Sequence, residues 1–437
     1  MAGRCLQTLH LLLGLTLLTT LLAACQSSAP GPGPGPSATG VIEIGADLAL
    51  SGSQAAVGQA AENGIRLAIA QANRQHVLAG YTLALAARDD VGALGQADPS
   101  IGAVNVLDLL GQAPVAGIIG PLASEVARAQ LPLTNQRGIV QISPASAATC
   151  LTRETPQSGC IGAFDLLPLL RPTGRLTYFR LAPPADLQGV LTADFVYHTL
   201  NARRVMVLTD GQDAADLALS FRNQFTADGG RIVGHLQSDH ATARGIALAA
   251  PDLLYFADHA PDAGVALLAL RTQLAAMGRA GAITLLIGDT LAAATLAPLL
   301  GHQPANRPAV YLMVAPALAD AGTTPEARDF TRAYQVSYGP PGIYSAGSYD
   351  CAWMLIHAIA AALDAGARPP MGPNDSDAAS NFRQAVIAAS NKTDEQGVTG
   401  RLRFDQDGDS TNRAIAIYRL TPGAPDAWSY VGTRAAP

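Results

Sequence analysis

Lysine is nearly missing from this chain: Lys392 is the only one, and arginine carries the rest of the positive charge. The skew reads as genome bias, without functional content. Charge of either sign is scarce. Charged residues make up 14% of the chain against 49% hydrophobic, the balance of a globular chain and not a disordered one. A formal net charge of -6 argues against nucleic acid and anionic membrane as partners. Catalytic signatures are missing too. No G-x-G-x-x-G follows a strand, and there is no G-x-S-x-G, H-E-x-x-H or P-loop. The readings that need those motifs, an exported hydrolase or a dinucleotide-dependent oxidoreductase, are left without support, and no cofactor is expected.

Long apolar runs are also lacking. The leucine-rich stretch from Leu11 to Leu22 is too short for a comfortable membrane span and fits the core of a signal peptide over residues 1–24. It ends in Leu22-Ala23-Ala24-Cys25. That boundary resembles the lipobox of bacterial lipoproteins, in which the cysteine is diacylated and becomes the mature N-terminus. The alternative is an ordinary secretory signal in which Cys25 is incidental. Residues 25–40, rich in Gly, Pro, Ser and Ala with a GPGPGP run, bury no core and read as a flexible tether.

The five cysteines agree with export. Cys5 lies in the leader and Cys25 takes lipid. Cys150 and Cys160 sit in one Thr/Ser/Pro/Gly-rich loop and read as a disulfide closing a short loop. The rival reading, half a metal site, lacks a second Cys pair or a His nearby in sequence. Cys351, in an apolar helix over 346–363, reads as a buried thiol.

The rest of the chain alternates strand and helix patterns. Its centre is VAGIIGPLASEVARAQLPLTNQRGIVQISPASAA, residues 115–148. An apolar strand over 115–119 ends at Gly120-Pro121. Ser124 then reads as a helix N-cap, with Glu125 in the first turn. A strand over 139–142 stops at Ser143-Pro144. Two strand ends and a helix start meet at one edge, where open α/β sheets place ligands and where N–H groups and hydroxyls suit a carboxylate or phosphate. A plain βαβ unit with a surface turn is the alternative. Before this centre, strands are expected at 41–46 and 81–87 and a helix at 60–73, after a Gly/Ser-rich turn over 48–58. A second α/β series runs from about 205, with strands at 205–209, 232–236, 253–256, 283–287 and 310–315. Late strands fall at 400–404 and 415–420 around an acidic turn. The pattern predicts two mainly parallel, doubly wound lobes with a cleft between them.

The order of several stretches carries a resemblance. They include VIEIGADLALSGSQAAVGQAAENGIRLAIAQAN, IIGPLASEVARAQLPLTNQRGIVQISPASA, YFRLAPPADLQG, YSAGSYDCAWMLIHAIAAAL and GRLRFDQDGD. Over 41 to about 430 the chain resembles the type I periplasmic binding proteins of the leucine/isoleucine/valine-binding group. The resemblance implies two doubly wound lobes joined by three hinge crossings, near 183–186, 315–319 and 412–414. Lobe one is then 41–184 with 316–412, and lobe two 185–315 with 413–437.

It also implies site residues. Ser124, the backbone of Ala145 and the position of Ala147 would hold the ligand's carboxylate and amino group. The family's hydroxyl falls on Ala147, which has none, and Ser146 is one position early. Glu125 is expected to face solvent. In lobe two, Ala214 and His259 stand where the family has aromatics. Thr290 stands where it has the ammonium-pairing acid, with Asp289 adjacent. Asp186 lies one position after the cleft aspartate. Asp405-Gln406-Asp407-Gly408-Asp409 resembles half a calcium loop but lacks the distal glutamate. The family has a plain acidic turn there, and no metal is expected.

The implied function is a non-catalytic, monomeric receptor that delivers a small amino-acid-like solute to an ABC permease. A sensor of the same fold is the second reading. With Ala214 and His259 in the pocket, a larger or more polar solute than leucine, isoleucine or valine is expected to bind best. The LAAC boundary predicts that Cys25→Ser abolishes palmitate labelling of the exported protein, and persistent labelling would contradict the lipoprotein reading.

Overall fold

The computed structural model describes residues 40–112, 114–154, 166–209, 214–257, 263–278, 283–288, 310–314, 324–370, 375–420 and 428–436. The first sheet is built from apolar runs: the strand Val115–Ile119, for example, is buried at every residue. A strand with no polar face has to be covered on both sides, which is what a parallel sheet between helix layers provides. The strands are β1 (Gly40–Leu48), β2 (Tyr81–Asp89), β3 (Val115–Ile119), β4 (Val140–Ser143) and β5 (Tyr178–Arg180). They pair in the order β2-β1-β3-β4-β5, all parallel. Between them run α1 (Ala55–Gln75), α2 (Pro99–Gly111), α3 (Ser124–Arg137) and the single turn α4 (Leu167–Leu170). The start of α2 is set by Asp98, whose carboxylate accepts the N–H groups of Ser100 and Ile101 with Pro99 at the first helical position.

After β5 the chain enters α5 (Ala185–Asp194) and a second series: β6 (Arg204–Thr209), α6 (Ala215–Ala227), β7 (Arg231–Gln237), α7 (Ala243–Ala249), β8 (Leu253–Phe256), α8 (Ala263–Ala276), β9 (Thr284–Ile287) and β10 (Val310–Val314). It then returns to the first sheet through α9 (Pro325–Tyr338), α10 (Ser345–Asp364), α11 (Ser376–Ser390) and the hairpin β11 (Asp394–Gly397)–β12 (Gly400–Arg403). Leu355, Ile356 and Ile359 of α10, Phe382 of α11 and Leu402 of β12 share one core with Ile42 and Ile44 of β1 and Ile65 of α1. Finally β13 (Ala414–Leu420) and β14 (Trp428–Ala435) join the second sheet as an antiparallel edge, in the order β14-β13-β10-β9-β8-β6-β7. The result is two α/β lobes, and the chain passes between their sheets three times.

Period-two alternation serves both faces of the second sheet. Val205 and Val207 of β6 face a core with Leu217 and Phe221 of α6, while Met206 and Leu208 face one with Ile246 of α7 and Leu267 of α8. Helix α10 is apolar and long enough to cross a membrane by composition, but it is a core helix of lobe one, and Cys351 within it is fully buried.

One boundary differs from the sequence reading by more than two residues. Helix α1 starts at Ala55 and not at residue 60, because Gly58 is not a turn residue. A Cβ on Gly58 would lie 1.9 Å from the Ala49 carbonyl oxygen, so glycine lets the helix start press against the loop after β1. Gly64 does the same for α10, since its Cβ would lie 2.1 Å from the Ser345 carbonyl oxygen. Gly64→Ala should therefore cost about 1–3 kcal/mol in urea unfolding by overpacking, and an unchanged midpoint would contradict this packing.

Candidate functional site

The loop after β4 is stapled to the turn before α3. Ser143 Oγ donates to the Pro121 carbonyl at 2.7 Å and accepts the N–H groups of Ala145 and Ser146 at 3.2 and 2.8 Å. Ser146 Oγ, fully buried, also donates to the Pro121 carbonyl, at 3.0 Å. Ser124 is the first residue of α3; the N-cap is Ala123, whose side chain caps nothing. The Ser124 hydroxyl instead accepts the N–H groups of Ala147 and Ala148 at 3.1 and 3.0 Å. This corrects the capping role expected from sequence. The two loop amides need an acceptor at a buried position, and Ser124 supplies it. Having accepted twice, Ser124 keeps its own proton to donate.

The same loop reaches into lobe two. The Ala147 carbonyl accepts the Ala185 N–H at 2.7 Å. Thr149 Oγ1 accepts the Asp186 N–H at 3.2 Å, and the Thr149 N–H donates to Asp216 Oδ2 at 3.0 Å. Asp216 lies in the first turn of α6 and is buried. Residues 147–149 thus hold the starts of both α5 and α6.

Beneath the loop lies a charged cluster. Arg180, at the end of β5, is fully buried; its Nε donates to Asp409 Oδ1 at 2.6 Å. Its two amino groups donate to the Ala148 carbonyl and to Thr152 Oγ1, each at 2.6 Å. Arg153 bridges Asp186 at 2.8 Å and Asp409 at 3.3 Å. Burial pushes the Asp409 carboxyl up, but the Arg180 charge and the hydrogen bonds from Arg180 and Thr152 outweigh it and hold Asp409 below the usual carboxylate range. Asp405 Oδ1 closes the turn by accepting the N–H groups of Asp407 and Asp409. Asp409 of the acidic turn is therefore matched in charge by Arg180 and Arg153. Among the described residues, no group of three or more His, Cys, Asp or Glu is arranged to hold a metal ion.

The structure brings Ser124, Ala145, Ser146, Ala147 and Asp186 together around one loop. Two of them are used differently from the sequence expectation. The Ser146 hydroxyl is fully buried and donates to Pro121. Asp186 is paired with Arg153, to which it is drawn by the cluster beneath. Glu125 is exposed, and Ala214 is buried at the N-cap of α6. His259, Asp289, Thr290, Cys25 and Cys160 lie outside the described residues. Cys150 is disulfide-bonded. The sequence reading missed Thr149, Arg153, Arg180 and Asp216. Of these, only Asp216 carries a local signal, an acid in a first helical turn, and that signal reads as ordinary helix polarity.

The profile of the periplasmic binding protein family matches residues 41–425, and the chain belongs to that family. Its similarity falls on the branched-chain amino acid group. The Leu/Ile/Val-binding protein BraC3 of Rhizobium johnstonii is 24% identical over 396 residues, covering 87% of this chain and 92% of that one. Among solved structures, the leucine binding protein LivK of Thermotoga maritima superposes with a TM-score of 0.69 at 21% identity, covering 90% of this chain and 99% of that one. A solute binding protein from R. palustris in complex with benzoate gives 0.68 at 17% identity, with 90% and 96% covered.

Asp409→Asn would leave the Arg180 charge buried and uncompensated, a loss of about 3–5 kcal/mol in denaturant unfolding at neutral pH. Because the folded pKa of Asp409 is lowered, its contribution is present above the ordinary carboxylate pKa of about 4 and fades as pH falls through the folded value. A loss under about 1 kcal/mol, the size of an exposed pair, would contradict the buried-pair reading.

Proposed function

We propose that this chain is the extracytoplasmic solute-binding lipoprotein of an ABC importer. In this reading it acts by binding and not by turnover. Residues 1–24 are a leader, Cys25 carries lipid and 25–40 form the tether. Lobe one (41–184 with 316–412) and lobe two (185–315 with 413–437) close on a small amino-acid-like solute by hinge motion, as a monomer. The family supports the binding role and a place outside the cytoplasm. The observation that carries the reading is the path from Ser124 to lobe two. Ser124 can donate to a ligand carboxylate, and the two amides it accepts belong to the loop that holds the starts of α5 and α6. A solute drawn to Ser124 thus acts one residue away from the contacts between lobes.

In lobe two the proposed wall is Ala214, His259, Asp289 and Thr290. Ala214 widens the pocket and His259 favours a polar tail. Cys160 is the proposed partner of Cys150. A second reading is favoured by Ala147, which has no hydroxyl to offer the ligand's amino group, and by the full burial of the neighbouring Ser146 hydroxyl. A carboxylate without an amino group, such as the benzoate bound by the R. palustris protein, would lose nothing there.

Calorimetry against leucine, isoleucine, valine, polar amino acids, amides, urea and benzoate tests both. A polar amino acid or amide bound more tightly than leucine supports the first reading, and benzoate as best binder supports the second. Ser124→Ala should weaken any carboxylate ligand by about tenfold, the worth of one charge-assisted hydrogen bond. An unchanged affinity would remove Ser124 from the site.

A further inference from the structure

A buried polar chain runs through lobe one beneath the Ser124 turn. Asp47, at the end of β1, is fully buried, and Asp90, just after β2, is 1% exposed. Asn105 of α2 donates to Asp47 Oδ1 and to the Asp89 carbonyl, both at 2.7 Å. Gln130 of α3 donates to Asp47 Oδ2 and, at 3.1 Å, to the Gly102 carbonyl. Gln141 of β4 donates to Gln130 Oε1 at 2.7 Å and to the Gly120 carbonyl at 3.0 Å, and accepts Thr134 Oγ1 at 2.9 Å. Gln130, Thr134 and Gln141 are fully buried. The chain of amides therefore connects Asp47 to the Gly120 carbonyl, four residues before Ser124.

Asp90 is the unsatisfied member. Both of its carboxyl oxygens are buried without a hydrogen-bond partner. Each element packed on the pair contributes either a neutral group or another acid. Helices α2 and α3 bring the amides of Asn105 and Gln130. The end of β2 brings Asp89, whose Oδ1 accepts the N–H groups of Leu50 and Val91. The following loop brings Asp98, whose carboxylate caps α2. The nearby Arg88 is turned to Asp108 on the surface. Two ionised carboxylates cannot be held in such a place without a cation, because both desolvation and mutual repulsion oppose it. A protonated Asp47 can still accept its two amides, and protonation of the pair removes the buried charge that Asp90 has no hydrogen-bond partner to offset.

We propose that the buried Asp47–Asp90 pair stays protonated in the folded chain, and that its protons brace the Gly120–Ser124 turn, so that this edge of lobe one is stiffer below neutral pH than above it. Only the name of that edge as a ligand site rests on the function proposed above. Burial, then the neighbouring charge of Asp90, raises Asp47 to about 8; burial, then Asp89, raises Asp90 to about 7. Both values belong to the pair. The folded pair keeps protons that the unfolded chain releases near pH 4, so the stabilisation is full below about pH 4, declines as pH rises, and is gone once pH passes about 7 to 8.

Thermal unfolding of the whole exported chain between about pH 5.5 and pH 9.5 tests the proposal. The wild-type melting temperature should fall across that range, and the Asp47→Asn/Asp90→Asn double variant, which keeps the shapes and removes the titrating carboxyls, should fall distinctly less. Amide exchange at Ala147 and Ala148, corrected for its intrinsic pH dependence, should lose at least about tenfold protection over the same range in wild type alone. Identical profiles for the two proteins overturn the proposal. If the double variant does not fold, carboxyl carbon NMR of wild type decides: two aspartates titrating above about pH 6 support the pair, and none doing so overturns it. A melting temperature raised by millimolar calcium chloride in wild type but not in the double variant also overturns it, in favour of a bound cation.

Discussion

The structure depends on one buried ion pair, Arg180 with Asp409. The two residues are 229 positions apart in sequence and join two of the three passages between the lobes. The chain leaves the first sheet at Arg180 and enters β13 of the second a few residues after Asp409. Backbone pairing reinforces the link: the Arg180 N–H donates to the Gly408 carbonyl, and the Ser410 N–H donates to the Arg180 carbonyl. An arginine with no exposed surface survives only if its donors are spent and its charge is matched. Here Asp409, Thr152 and the Ala148 carbonyl take them.

That last bond ties the proposed hinge to the proposed ligand edge. The residue Ala148 donates its N–H to Ser124 and accepts Arg180 at its carbonyl. Its neighbours Ala147 and Thr149 hold the starts of α5 and α6. In the proposed closure, a pull on Ser124 would be felt at the point about which the lobes turn. Rigid packing makes such a link effective, because a close-packed interior transmits small displacements instead of absorbing them.

The lobes were legible in the sequence because buried parallel strands are short apolar runs cut by breakers. The runs over 115–119 and 253–256 coincide with β3 and β8. What failed were readings that depend on distant partners. Ser124 at a helix start looks like a cap, and nothing local reveals that two amides from residues 147 and 148 will claim it. Gly58 looks like a turn residue until the Ala49 carbonyl presses on it. Each miss concerns a contact across the fold, whereas sequence periodicity reports only which face of an element is buried.

The central claim is that the lobes close on a solute about the fixed Arg180–Asp409 node. The most direct test is the distance between spin labels at V104C in lobe one and L248C in lobe two, both exposed positions. It is measured with and without the solute that binds tightest in calorimetry. A rigid node predicts two narrow distance distributions, the shorter one with solute. A single distance unchanged by solute, or a broad distribution in both states, would contradict it.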